Sequence, residues 1–349
     1  MRAHRPILAA CLLMLAALAC NFPTADAPAT PSGSGLQTVE SPAPGEPTAT
    51  LAPGETAAPG PVPTFGFPTL TPANPLPAGF DAALLNTVVK NVPYCTGSGQ
   101  SLLMDVYYPP HPDSGWPAVV IIHGGLWMSG DKSNDVALRF APALLDAGFL
   151  VVSVNYRLAP QYPYPAQLYD VKCAVRHLRA NAAEYNIDPE RIAALGHSSG
   201  GHIAAMLGVT GHRAALDGGT QFNDVSSGVG AVVDVSGISN PTYYCSDSTA
   251  QQVFAAANCQ DYAILNEANP ALYLSDQTPP FLLIHGTADQ AVPIRFSEYM
   301  EEKLLEAGLP VLFFRVQDAG HSFAEGTTFS PAFAELTGLV ITFLDAFMP

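Results

Sequence analysis

The sequence predicts an α/β fold in which a mostly parallel central sheet is flanked by helices on both faces. Segments of strand length alternate with segments of helix length along most of the chain, which is the pattern of a wrapped parallel sheet. Several strand segments are continuous apolar runs, as expected for strands covered on both faces. The chain has 349 residues, of which 48% are hydrophobic and 13% charged, so it can bury a large core.

The alternating segments define the predicted elements in order. The predicted strands are 102–108, 118–122, 150–155, 191–195, 229–235, 280–284 and 311–316. The predicted helices are 135–147, 168–184, 201–207, 295–307 and 331–347. Gly148 and Gly308 each follow a predicted helix, where glycine commonly ends one. A small insertion of cap type is predicted between the strands at 229–235 and 280–284.

The N-terminal residues 1–19 are predicted to be a signal peptide. Arg2 and Arg5 precede an apolar run over 7–19, which is too short to span a bilayer comfortably. The run ends at Ala19-Cys20, and this pair resembles the lipobox of bacterial lipoproteins. We therefore expect an exported protein that carries a lipid on Cys20 at the cell surface or in the periplasm. An uncleaved N-terminal membrane helix is the alternative.

Residues 20–78 are predicted to be a linker, and residues 79–349 the folded catalytic domain. The linker is rich in Pro, Thr, Ala, Gly and Ser and contains no Lys or Arg. Such a composition cannot bury enough apolar surface to offset the entropy lost on ordering.

Four cysteines remain after the signal peptide and Cys20, and they can pair in three ways in an oxidising compartment. Cys245 and Cys259 are close in sequence within a loop-rich stretch, so this bridge is favoured. The pairing of Cys95 and Cys173 is left open.

The stretch Gly196-His197-Ser198-Ser199-Gly200 is the pattern of a nucleophile elbow. It lies between a predicted strand and a predicted helix, and only Ser198 has glycine two residues before and two after it. Flanking glycines remove the β-carbons that would collide across so sharp a turn. The pattern therefore predicts Ser198 as a nucleophile.

A serine nucleophile needs a base and an acid that orients the base. His321 follows the last predicted strand, and Asp289 follows the strand before it. Loops at the carboxyl edge of a parallel sheet meet there, so these residues are predicted to complete a triad. Asp234 is the rival for the acid. His197 flanks the elbow, but local chain geometry is expected to point it away from the Ser198 hydroxyl.

The stretch after the predicted strand 118–122 contains paired glycines, which let backbone N–H groups turn toward a site. The backbone N–H groups of Gly125, Leu126 and Ser199 are predicted to form an oxyanion hole. Trp127 and Tyr156 are predicted to line a substrate pocket, although they could instead only pack the core.

Five motifs carry a resemblance to a known family: HGGLWMSGDK, VNYRLAP, GHSSGGH, HGTADQAVP and DAGHSF. Together they look like the α/β-hydrolase superfamily, in its hormone-sensitive-lipase-like and bacterial feruloyl/acetyl-esterase branch. The resemblance implies the α/β-hydrolase fold and hydrolysis of short-chain, acetyl or hydroxycinnamoyl esters. Leu126 departs from it, because many relatives have a third glycine there, and the leucine is expected to narrow the acyl side.

Three functional hypotheses follow. The favoured one is an exported serine carboxylic-ester hydrolase whose substrate is a small-molecule or polysaccharide-linked ester. The second is a serine aminopeptidase or dipeptidyl peptidase, which is disfavoured because no propeller-sized domain or acidic anchor for an amine is visible. The third is a non-catalytic tethered binding module.

Cofactors and other partners are not expected. The chain lacks a metal-binding HExxH motif, a phosphate loop and a dinucleotide fingerprint. A formal net charge of −16 without a cluster of Lys and Arg argues against nucleic acid. Membrane contact is expected only through the lipid anchor.

Overall fold

One sheet of eight strands organises the part of the chain that the structure describes. The computed structural model describes residues 76–77, 79–218, 221–256, 262–324 and 328–348. The strands are β1 (Val88–Gly97), β2 (Gln100–Tyr107), β3 (Trp116–Ile122), β4 (Leu150–Val154), β5 (Ile187–His197), β6 (Ala231–Val235), β7 (Phe281–Gly286) and β8 (Val311–Val316). Their order in the sheet is β1-β2-β4-β3-β5-β6-β7-β8.

The sheet is parallel except at one end. Strand β2 pairs antiparallel with both β1 and β4, and the pairs from β4 through β3 to β8 are parallel. The predicted fold class is confirmed, and the seven predicted strands correspond to β2–β8.

Strand β1 was not predicted. It is an edge strand with four exposed residues at its start, and it contains Asn91 and Pro93. Its pairing with β2 also has register shifts. Its sequence therefore lacks the apolar run that marks the buried strands, and its position depends on pairing with β2.

Both faces of the sheet are buried, and β3 illustrates the reason. Val119 and Ile121 pack into one core cluster, whereas Val120 and Ile122 pack into a second cluster on the opposite face. Successive side chains of a strand point to opposite faces, so a continuous apolar run fills both clusters at once.

Helices cover the two faces. Those that the structure describes are Ala141–Asp146, Ala166–Ala180, Ala182–Tyr185, Ser199–Thr210, Ser248–Phe254, Tyr262–Glu267, Arg295–Glu306 and Phe333–Phe347. None of these has the length and apolar character needed to cross a lipid bilayer.

Two predicted helices differ from the observed ones. The segment 135–147, predicted as one helix, instead forms a 3-10 turn, Ala137–Phe140, followed by a short α-helix. The turn begins here because the Asp135 carboxylate accepts the N–H of Ala137. The prediction over 168–184 is divided at Asn181, whose side chain donates to the carbonyl of His177.

The N-terminal predictions lie outside the described residues. These are the signal peptide over 1–19, the lipidation site Cys20 and all of the linker except 76–77. The domain boundaries therefore stay predictions.

A disulfide joins the edge of the sheet to a helix. Cys95 in β1 is bonded to Cys173 in the helix Ala166–Ala180. Strand β1 is at the edge of the sheet and pairs with a strand on one side. The bridge links it to a helix that packs on the sheet. The predicted bridge between Cys245 and Cys259 stays a prediction, because Cys259 lies outside the described residues.

Removing this disulfide is expected to lower the free energy of unfolding. The two cysteines are 78 residues apart. Closing a loop of this length lowers the conformational entropy of the unfolded state, which stabilises the folded state by about 4 kcal/mol. Urea denaturation of a Cys95→Ser/Cys173→Ser double variant would measure the loss against the wild-type protein. A loss below about 1 kcal/mol would contradict the large-loop estimate.

Candidate active site

The predicted site residues lie at the carboxyl edge of the sheet. Strand β3 has β4 on one side and β5 on the other, so the direction of winding reverses at this point. A crevice forms at such a reversal because the loops on the two sides lead away from each other. The segments that follow β3, β4, β5, β7 and β8 carry the predicted residues.

Ser198 occupies the sharp turn between β5 and the helix Ser199–Thr210, here called the elbow helix. Its backbone has φ 59° and ψ −122°, a conformation that non-glycine residues rarely adopt. A β-carbon on Gly196 would lie 2.1 Å from the carbonyl oxygen of Gly200. One on Gly200 would lie 2.1 Å from the carbonyl oxygen of Ile122. Both glycines are therefore required by close backbone contacts around the serine.

Three side chains from three loops form a continuous chain of hydrogen bonds. The Ser198 Oγ lies 3.0 Å from Nε2 of His321, and Nδ1 of His321 lies 2.7 Å from Oδ2 of Asp289. The other carboxylate oxygen, Oδ1, accepts the backbone N–H groups of Ala291 and Val292 at 2.9 and 2.8 Å. The geometry assigns Nδ1–H of His321 as a donor to Asp289, which leaves Nε2 to accept from the serine hydroxyl.

The Asp289 carboxylate is held in its ionised form. Burial by itself raises the pKa of this group, but His285, His321 and the N–H of Val292 act in the opposite direction and hold the pKa well below its usual range. Nε2 of His285 lies 3.3 Å from Oδ2. An ionised acceptor beside Nδ1 fixes the tautomer of His321 and stabilises its charged form.

Asp234, the rival for the acid, lies elsewhere. It is buried beside the start of the elbow helix, where β-carbons on Gly201 and Gly237 would lie 2.3 and 2.1 Å from its Oδ1. Burial raises the pKa of Asp234 to about 6. The structure therefore brings Asp289, and not Asp234, to the histidine.

The oxyanion loop, 123–130, follows β3, and together with the start of the elbow helix it places N–H groups beside the serine. The backbone N–H groups of Gly125, Leu126 and Ser199 donate to no other described residue. Gly125 and Leu126 have positive φ values of 119° and 56°, and the Gly125 carbonyl accepts from the N–H of Ser129 at 3.0 Å. These donors are available to an anionic oxygen.

Trp127, which is part of this loop, and Tyr156, which follows β4, are both buried. Each is only 4% exposed. Nε1 of Trp127 donates to Nδ1 of His202 at 3.2 Å, and the Tyr156 hydroxyl donates to the carbonyl of His123 at 2.8 Å. In this structure both residues support the loop, and their role as pocket lining stays a prediction. The exposed apolar side chain at the site is Leu126, which is 51% exposed.

One site residue was missed by the sequence reasoning. His197 was expected only to flank the elbow, but its Nε2 lies 2.9 Å from the carbonyl oxygen of His321. The two imidazole rings are 4.7 Å apart. The only sequence signal was the position of His197 next to the nucleophile, because the loop it contacts comes from the other end of the domain.

Metal ligands are not grouped at the site. Within the described ranges, no set of three or more His, Cys, Asp or Glu side chains is placed to hold a metal ion.

The sheet order, the elbow after β5 and the chain order of serine, aspartate and histidine define an α/β-hydrolase. The sequence model of the BD-FAE family matches residues 104–304. The chain belongs to this family.

Individual relatives agree with this assignment. Esterase LipQ of Mycobacterium tuberculosis is 28% identical over 241 residues, which cover 67% of this chain and 57% of LipQ. Carboxylesterase NlhH of the same species is 46% identical over 104 residues, or 29% of this chain and 32% of NlhH. The chain thus spans little more than half the length of LipQ.

A solved structure aligns over most of the domain. A truncated form of a carbohydrate esterase from gut microbiota is 28% identical, with a TM-score of 0.65, and the match covers 77% of this chain and 99% of that chain.

Proposed function

We propose that this protein is an exported serine carboxylic-ester hydrolase that works through an acyl-enzyme. The hydrogen-bond chain from Ser198 through His321 to Asp289, with distances of 3.0 and 2.7 Å, is the observation that carries the proposal. The names of the relatives LipQ and NlhH support the ester as the bond cleaved.

The first half-reaction forms the acyl-enzyme. Ser198 Oγ attacks the ester carbonyl while Nε2 of His321 takes the hydroxyl proton. The carbonyl oxygen becomes an oxyanion and receives hydrogen bonds from the N–H groups of Gly125, Leu126 and Ser199. The bond to the alcohol oxygen then breaks, and His321 returns its proton to that oxygen.

The second half-reaction releases the acid. Water gives a proton to His321 and attacks the acyl carbonyl, and the same N–H groups hold the second oxyanion. The C–O bond to Ser198 breaks, and the proton on His321 passes to Ser198 Oγ. Asp289 stays ionised throughout and stabilises the imidazolium that forms in each half-reaction.

The proposed substrates are short-chain, acetyl or hydroxycinnamoyl esters, including esters linked to polysaccharide. The described function of the gut-microbiota relative, a carbohydrate esterase, supports the carbohydrate-linked alcohol. The half-exposed Leu126 beside the oxyanion donors supports a short or flat acyl group, because its side chain occupies space that a third glycine would leave open.

Export and lipidation are part of the same proposal. The predicted signal peptide and Cys20 support them, and the disulfide between Cys95 and Cys173 is typical of an oxidising compartment. The intact mass of the membrane-extracted protein is the test, and a mature chain that begins at any residue other than a lipidated Cys20 would contradict lipidation.

The activity is tested by a comparison of substrates. We expect turnover of p-nitrophenyl acetate and butyrate by the wild-type protein, and a much lower rate on aminoacyl-nitroanilides. Ser198→Ala is the control. Faster cleavage of the anilides would favour the peptidase hypothesis, and equal ester turnover in the variant would discard the serine mechanism. Activity on neither substrate class would favour the binding module.

A further inference from the structure

The loop that carries the base is held by its carbonyl groups. In this base loop, 321–323, the carbonyl of His321 accepts from Nε2 of His197 at 2.9 Å. The carbonyls of Ser322 and Phe323 accept from Nη1 of Arg139 at 3.3 and 2.7 Å. Three consecutive carbonyls are therefore bonded to side chains that lie far away in sequence.

Arg139 belongs to the segment 135–139, and this segment also holds the oxyanion loop. Oδ2 of Asp135 accepts the N–H of Gly124 at 2.8 Å, and Oδ1 accepts the N–H of Ala137 at 2.8 Å. A β-carbon on Gly124 would lie 3.2 Å from Cβ of Ser198, so the Gly124 backbone borders the nucleophile. Asp135 thus fixes the start of the loop whose next two N–H groups are the proposed oxyanion donors.

His197 lies between Asp135, which holds the oxyanion loop, and the base loop. Its side chain is almost fully buried, and Nδ1 lies 3.8 Å from Oδ2 of Asp135 while Nε2 contacts the base loop. Burial raises the pKa of the Asp135 carboxyl, but His197 and the N–H groups of Ala137 and Gly124 lower it by more. The carboxylate therefore stays ionised and lies 3.8 Å from Nδ1 of His197, which is too far for a hydrogen bond.

Aromatic packing keeps the segment itself in place. The Arg139 guanidinium lies 4.0 Å from the ring centre of Phe333, and the rings of Phe140 and Phe333 are 4.8 Å apart. Phe333 begins the last helix, Phe333–Phe347, so the segment is anchored to the side of the sheet opposite the elbow helix.

We propose that Asp135, His197 and Arg139 are positioning residues that hold the oxyanion loop and the base loop at a fixed separation around Ser198. This proposal rests on the proposed esterase function. None of the three residues takes part in proton transfer; they act through Gly124 and His321. A displacement of about 1 Å between reacting groups can cost about 10²-fold in rate, so this support has a measurable effect on turnover.

The test compares two substitutions of one residue. His197→Leu removes the donor to the His321 carbonyl, whereas His197→Gln replaces it with an amide N–H that can donate in its place. His177→Leu is the matched control, because His177 lies in the helix Ala166–Ala180, outside both loops, and bonds to the hydroxyl of Tyr185 at 2.9 Å. For each variant, kcat and KM on p-nitrophenyl acetate and the melting temperature are measured.

We expect His197→Leu to lower kcat by about 10²-fold while KM changes less than about twofold. His197→Gln is expected to recover at least about tenfold of that loss. The control should match the wild-type kcat, and the melting temperatures show whether each variant is folded. The proposal is overturned if kcat of His197→Leu stays within about threefold of wild type, or if the glutamine variant is no better than the leucine variant.

A second variant keeps the test decisive if His197→Leu does not fold. Arg139→Met removes the donor to the carbonyls of Ser322 and Phe323, and we expect a loss in kcat of about tenfold with little change in KM. Wild-type kcat in this variant would overturn the proposal. A wild-type protein without esterase activity, or an active Ser198→Ala variant, would instead refute the proposed function.

Discussion

Removing the Ser198 hydroxyl and the His321 imidazole together is expected to lower kcat no further than removing either one alone. Each single substitution, Ser198→Ala or His321→Ala, should lower kcat by about 10⁴-fold or more, because nucleophile and base act as one unit. The structural reason is the 3.0 Å contact between Ser198 Oγ and His321 Nε2. Without the base the hydroxyl keeps its proton, and without the hydroxyl the base has no proton to take.

The measurement is a double-mutant cycle on p-nitrophenyl acetate. His111→Ala is the matched control, because His111 is a half-buried histidine outside the site whose Nε2 lies 2.9 Å from the carbonyl of Asp146. The control should stay within about twofold of wild type. Losses that multiply in the double variant would show that the two residues act independently, which the hydrogen-bond chain does not allow.

The residual rate of the double variant is informative as well. The N–H groups of Gly125, Leu126 and Ser199 belong to the backbone and remain in all three variants. Oxyanion donors and substrate binding alone support about 10³-fold catalysis over water in related mechanisms. A residual rate of this order in the double variant would be consistent with the placement of the oxyanion loop.

Local features of the sequence were sufficient to predict most of the fold. They also singled out the three residues that the structure joins by hydrogen bonds, Ser198, His321 and Asp289. The elbow is encoded by two glycines that the structure shows to be in backbone contact, Gly196 and Gly200. The buried strands are encoded by apolar runs. Asp289 and His321 could be placed because the ends of parallel strands meet at one edge.

Features that depend on long-range packing were not predictable. His197 and His321 are 124 residues apart. A histidine at position 197 does not by itself indicate which loop it will contact. Strand β1 lacks an apolar run and is defined by its partner. Trp127 and Tyr156 were predicted to line the pocket or to pack the core, and the sequence does not show their hydrogen bonds to His202 and His123.

The choice between two buried carboxylates shows how the structure sharpens a prediction. Asp234 lies near the end of β6, and Asp289 follows β7. Sequence order alone left Asp234 as a rival. In the structure their environments differ. Asp289 accepts hydrogen bonds at both oxygens, whereas Oδ1 of Asp234 is buried without a hydrogen bond to a described residue. Their pKa values shift in opposite directions, so only Asp289 is suited to stabilise an imidazolium.

Asp289→Asn is therefore expected to lower kcat by about 10⁴-fold. The asparagine oxygen can still accept from the N–H groups of Ala291 and Val292, so the loop should keep its shape. Its amide then faces Nδ1 of His321 as a donor, which forces the proton to Nε2 and prevents that nitrogen from accepting the serine hydroxyl. The effect should appear in kcat with little change in KM, because substrate binding does not involve this carboxylate.

Asp234→Asn is the matched control for this substitution. It makes the same chemical change at a second buried carboxylate beside the elbow, and we expect kcat within about tenfold of wild type, since Asp234 does not contact His321. Steady-state kinetics on p-nitrophenyl acetate for both variants, with melting temperatures to verify folding, distinguish the roles. If Asp234→Asn were the more damaging of the two to kcat in folded protein, the acid would have been assigned to the wrong residue. The opposite order is required by the 2.7 Å contact between His321 Nδ1 and Asp289 Oδ2, because the carboxylate that fixes the tautomer must touch the ring.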